Sequence, residues 1–172
     1  MEMEMESMAV EMPAVSRHPN RRDFQGVLTT VERASDRPPN GARGHRVLLT
    51  AEAAEKAIPS LLGMGVDYAP ELDRHDTRRK VGVITKAEVT GEGLRNRTLS
   101  VEGYLYAKDF PEIVSEIAAR GASELGMSYE IAEVRVADVE ASIWTVTEFT
   151  FTGAAVLRRE KAAYRETWVS LQ

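Results

Sequence analysis

The sequence predicts an α+β domain: a small, mostly antiparallel, barrel-like sheet with two main flanking helices. Three observations predict it. Five or six segments alternate apolar and polar residues with the period of a strand, and only two stretches carry helical periodicity. Most strand-like neighbours are joined by turns too short for a parallel crossover.

Residues 1–20 stand apart as a Met/Glu-rich arm: Met1 to Met12 hold five of the seven methionines and four glutamates, followed by Pro13 and Pro19. Such a segment is read as a disordered, charge-solvated tail. Phe24–Arg33 alternates as a first strand, and the proline- and glycine-containing run Ala34–Gly44 is a loop. Arg46–Leu49 is a short apolar run. Thr50 then serves as N-cap of a helix over Ala51–Leu62, ended by Pro59 in its last turn and by the Gly63/Gly65 pair. Val66–Lys80 is polar and reads as an excursion. Val81–Val89 and Leu99–Tyr106 alternate on either side of a glycine-containing turn and form a hairpin.

Asp109–Gly121 reads as the second helix, with Pro111 at its start, Ile113, Val114, Ile117 and Ala118 as its apolar stripe, and Gly121 as its stop. Met127–Val139 is a long strand whose apolar phase changes from odd to even, so a bulge falls near Ala132–Glu133. Ile143–Thr152 is a further strand, Gly153 a turn and Leu157–Tyr164 a short basic segment. The domain is thus bounded at 21–165, with a frayed C-terminus at 166–172.

A length of 172 residues suits one domain of ~150 residues plus a tail. The chain contains no cysteine, which excludes disulfides, thiolate metal sites and a cysteine nucleophile. No apolar run approaches the ~18 residues of a membrane span, and the acidic start lacks the pattern of a signal peptide. A net charge of -5 gives no electrostatic reason to seek nucleic acid. The basic runs Arg78-Arg79-Lys80 and Arg158-Arg159 lack the aromatic interleaving of a nucleic-acid interface.

Without cysteine, a nucleophile must be Ser, Thr, Lys or a carboxylate, and a hydroxyl needs an adjacent base. The three histidines are therefore the search points. His18, in the arm, and His45, beside the glycine-rich loop, read as solvated surface. His75, within Asp73-Arg74-His75-Asp76 and just before a strand, can be aimed over a sheet edge; its bland reading is an exposed loop histidine. A metal site at Asp73, His75 and Asp76 lacks a second histidine at ligand spacing, and neither metal nor cofactor is expected. Ser128, in Gly126-Met127-Ser128-Tyr129-Glu130-Ile131, follows a helix and opens a strand. It alternates away from Met127, Tyr129 and Ile131, so it faces out or into a cleft if those three face the core.

The ordered motifs His75-Asp76, Val81-Gly82, the Asp109-Phe110-Pro111 helix, Met127-Ser128 and Gly153–Leu157 together resemble the prohead (capsid maturation) serine proteases of tailed bacteriophages, relatives of the herpesvirus assemblin fold. The resemblance spans about Arg46–Tyr164. Two departures stand out: Tyr129-Glu130 replaces the glycine many members carry two places after the serine, and no long scaffold-like tail follows before Gln172.

The resemblance implies a serine endopeptidase with Ser128 as nucleophile and His75 as general base. A carboxylate would orient the imidazole: Glu148 first, then Glu102, then Asp76. Backbone N–H groups at Gly153 and Ala154 would hold the oxyanion. The implied substrates are the major capsid and scaffold proteins, with the portal protein as a further candidate and cleavage of the protease itself, inside an assembling procapsid in the host cytoplasm. No membrane or specific nucleic-acid partner is implied, and a homo-oligomer is compatible. The alternative is a non-catalytic capsid-assembly or scaffold protein with a protease-like fold.

Overall fold

The computed structural model describes residues 18–93 and 96–172. The Met1–Met12 run and most of the predicted arm lie outside the described residues. Among the described residues, eight strands and two α-helices follow in order: β1 (Arg21–Thr30), β2 (Arg46–Leu49), α1 (Ala51–Leu61), β3 (Gly65–Tyr68), β4 (Lys80–Thr90), β5 (Thr98–Tyr106), α2 (Pro111–Glu124), β6 (Leu125–Val136), β7 (Ile143–Arg158) and β8 (Trp168–Leu171). They form one curled sheet in the order β2-β7-β3-β4-β5-β1-β8, with β6 paired to the other edge of β7. The class is α+β, as the sequence predicts. Pairing is antiparallel except where β7 meets β2 and β3. Among the described residues no helix is long and apolar enough to cross a membrane.

The helices form where local signals place them. The Thr50 hydroxyl accepts the Ala53 N–H at 3.1 Å and caps α1, whose buried face of Ala51, Ala53, Ala54, Ala57 and Leu61 is small enough to lie close on the sheet. Pro111 opens α2, and Ile113 and Ile117 bury its apolar stripe. Gly121, at φ 63°, interrupts α2 rather than ending it; one more turn follows before β6. The β4–β5 hairpin forms as predicted, but an extra residue at Thr85 shifts the phase of β4, so Val81 and Ile84 are both buried.

Three predicted boundaries need correction. Gly65–Tyr68, read as the start of an excursion, is strand β3 between β7 and β4. Gly153 is not a turn: β7 runs through it to Arg158. The C-terminus is not frayed, because β8 pairs with β1 from Trp168 to Leu171. The predicted bulge in β6 is present, with Glu133 at φ 54° and a register shift between Ala132 and Arg135.

These corrections matter for β6. The sheet curls until Met127 lies over β1, where a Cβ on Gly26 would come within 2.9 Å of its sulfur. The Met127 N–H donates to Thr167 Oγ1 at 3.2 Å, and the Thr167 hydroxyl donates to Tyr164 O at 3.0 Å. The segment before β8 therefore pins the backbone one residue ahead of Ser128. Thr167→Val keeps the shape and leaves the buried Met127 N–H unpaired, while Tyr164 O keeps the Thr167 N–H at 3.4 Å. A loss of about 1–3 kcal/mol in urea unfolding is expected; an unchanged midpoint would show that the contact carries no weight.

Candidate active site

Ser128 lies half-buried on β6, after the buried Leu125, Gly126 and Met127. His75 reaches it from the loop between β3 and β4, and His75 Nε2 is 2.9 Å from Ser128 Oγ. That loop is fixed at several points. Leu72 is buried, and its carbonyl accepts the N–H of Arg158 at 2.8 Å. The Asp76 N–H donates to Asp67 Oδ1 at 2.8 Å. Arg79 pairs with Glu112 at 2.7 Å and lies over the rings of Tyr68 and Phe110.

On the far side of the imidazole, Nδ1 is 3.4 Å from Asp67 Oδ2 and 4.0 Å from Glu130 Oε2. Asp67 is fully buried on β3, a place a carboxylate takes only when its charge is answered. Lys80 Nζ, 3.7 Å from Oδ2, answers part of it. Neither Asp67 Oδ2 nor His75 Nδ1 makes a hydrogen bond. A separation of 3.4 Å is loose for a hydrogen bond, as such pairs often are before substrate binds. Glu130 is held by the Thr152 hydroxyl, which donates to Oε1 at 2.9 Å. Thr152 is the extra residue where β7 bulges between Phe151 and Gly153, and the bulge aims it at Glu130. Burial holds the neighbouring Tyr129 phenol well above its ordinary pKa, so it stays protonated and offers no base.

The carboxylate beside His75 is thus Asp67, not the residues the sequence put forward. Glu148 projects from β7 into solvent and pairs with Arg135 at 3.3 Å. Glu102 pairs with Lys86 at 3.0 Å on the β4–β5 face. Asp76 uses Oδ1 to accept the Arg78 N–H within its own loop. Gly153 and Ala154 are buried inside β7 between β6 and β3, so their N–H groups face neighbouring strands rather than an oxyanion. His45 is not simply solvated: it stacks on Trp144 at 4.4 Å between centroids. The basic run before β4 is also engaged internally, through Arg79–Glu112 and Lys80–Asp67.

Ser128 and His75 open into a cleft of about 690 Å³. The Pro38–Gly41 loop forms one wall, and Ile131, Val136, Trp144 and Val146 give it an apolar surface. Among the described residues β6 pairs only with β7, so its outer edge is open beyond Ser128. Hydroxyl, imidazole and buried carboxylate lie in the sequence that proton removal from a serine requires, with the carboxylate and the hydroxyl at opposite ring nitrogens.

The profile of the YonD N-terminal domain family matches residues 65–170, well over half of the chain. The chain belongs to the YonD N-terminal domain family. The part matched to the YonD N-terminal domain holds Asp67, His75, Ser128 and Glu130, and leaves out the Pro38–Gly41 wall. Among solved structures, the bacteriophage T4 capsid assembly protease, gp21, is similar over 79% of this chain and 98% of that chain, at 13% identity and a TM-score of 0.44. No curated protein matches this YonD N-terminal domain chain.

Proposed function

We propose that the chain is a serine endopeptidase of phage capsid maturation, in which Ser128 is the nucleophile, His75 the general base and Asp67 the residue that orients the imidazole. The observation that carries this reading is the 2.9 Å approach of His75 Nε2 to Ser128 Oγ with a buried carboxylate at the opposite ring nitrogen. With the Nδ1 proton directed at Asp67, Nε2 presents its lone pair to the hydroxyl. As Oγ attacks a peptide carbonyl, its proton passes to Nε2, and Asp67 stabilises the imidazolium. The same proton then goes to the leaving amine, giving an acyl-enzyme and a free N-terminus. Water, deprotonated by His75, releases the second product.

The open outer edge of β6 suits a substrate in extended form, paired by main-chain hydrogen bonds with alternate side chains against the apolar wall. The capsid and scaffold proteins of an assembling procapsid in the host cell are the proposed substrates, from the motif resemblance described above. The Met1–Asn20 arm is a proposed site of self-cleavage.

The test is co-expression of the chain with the capsid and scaffold proteins encoded beside it, reading new N-termini by mass spectrometry. New termini that depend on the intact chain are expected. Normal assembly with every protein uncut would favour the non-catalytic assembly role instead. A Glu148→Gln variant should cut at a rate within about twofold of the parent, as a surface change away from the site should; a drop of a hundredfold would restore Glu148 as the orienting group.

A further inference from the structure

We propose that Asp67, Glu130 and His75 Nδ1 form a reversible site for a divalent transition-metal ion of the zinc type, and that filling it switches Ser128 off. The binding stands on geometry alone, whereas the switching rests on the serine-peptidase reading above.

One ligand atom from each of the three residues lies within 4.8 Å of the other two. Tetrahedral zinc with bonds of about 2.0–2.2 Å spaces its ligands roughly 3.3–3.5 Å apart. His75 Nδ1 and Asp67 Oδ2, at 3.4 Å, already have that spacing. Glu130 Oε2, at 4.0 Å from Nδ1, lies on a partly exposed side chain that can turn to close the remaining gap while Oε1 keeps its Thr152 contact. The independent sign of a ligand is Asp67 Oδ2: it is fully buried, aimed into the cluster and without a hydrogen-bond partner. Both carboxylates also have their second oxygen tied, Asp67 Oδ1 by the Asp76 N–H and Glu130 Oε1 by the Thr152 hydroxyl. Such outer contacts fix ligand orientation.

Charge favours the same occupant. Two carboxylates face one ammonium, that of Lys80 at 3.7 Å from Oδ2. The Lys80 side chain is 37% exposed, so it can swing to solvent and leave Asp67 to the ion. One imidazole and two carboxylates suit zinc better than a hard alkaline-earth ion.

Metal binding and catalysis then exclude each other by proton position. An ion on Nδ1 takes the lone pair there and leaves the ring proton on Nε2. That nitrogen can donate to Ser128 Oγ but can no longer accept its proton. The ion also displaces the Asp67 contact that orients the ring.

The test titrates zinc chloride into the full chain by isothermal calorimetry, for the parent, Glu130→Gln and Ser128→Ala, and in parallel measures proteolysis by the parent and Glu130→Gln, each scaled to its own zinc-free rate. One ion per chain is expected, with affinity reduced at least about tenfold in Glu130→Gln and unchanged in Ser128→Ala. Proteolysis should fall as the site fills, return on adding EDTA, and require at least about tenfold more zinc in Glu130→Gln. No binding at millimolar zinc, or equal affinity in Glu130→Gln, would overturn the site. Binding as described in a chain that cuts nothing would uphold the site and count against the peptidase reading.

Discussion

Ser128→Ala is expected to lower the rate of peptide-bond cleavage by about 10⁴–10⁶, the loss seen when a serine nucleophile is removed from a working triad. The change removes one oxygen from a half-buried side chain whose hydroxyl meets His75, and no backbone group depends on that hydroxyl. Urea unfolding should therefore stay within about 0.5 kcal/mol of the parent. This pairing of a large kinetic effect with a small thermodynamic one separates chemistry from folding. The rate is read with a fluorescently labelled unfolded protein or with a co-expressed capsid protein. Cleavage that persists in the variant would remove Ser128 from the reaction.

Asp67→Asn is expected to cost about 10³–10⁴ in kcat, roughly 4–5.5 kcal/mol, with little change in KM. The side-chain oxygen that accepts the Asp76 N–H is retained, so the loop should keep its anchor. What changes is the face toward His75. An amide NH₂ there donates to Nδ1 and moves the ring proton to Nε2, the wrong tautomer for a base. A KM effect of the same size as the kcat effect would point to a distorted cleft. A loss under about tenfold would pass the orienting role to Glu130, the other carboxylate within reach of Nδ1.

What the sequence made legible follows from how local each signal is. Thr50 as a cap, Pro111 at a helix start and the phase change in β6 are all decided within a few residues, and the structure places each where it was read. Ser128 and His75 stood out as short motifs against a background without cysteine. Asp67 did not, because its strand has four residues and includes Gly65 and an aspartate, both poor strand formers. Pairing with β4, across the polar His75 loop, and with β7, far along the chain, holds β3 in place. The available signal was a single charge between Val66 and Tyr68.

Glu148 comes forward through the resemblance, as a carboxylate on the strand after Ser128. Strand alternation itself argued against it: Phe149 and Phe151 point inward, so Glu148 points out. β8 was missed for a related reason. Four residues at a chain end carry little periodicity, and their stability comes from β1, more than a hundred residues earlier.

The most direct test of the Ser128–His75 pair is covalent trapping by a fluorophosphonate, which forms a phosphorus–oxygen bond with an activated serine and expels fluoride. The modified residue is located by tandem mass spectrometry after digestion. A single adduct on Ser128 is expected, slowed at least about a hundredfold in His75→Ala, where the hydroxyl has no base to take its proton. An adduct on another serine, or equal labelling of Ser128 with and without His75, would contradict the assignment of these two residues as nucleophile and base.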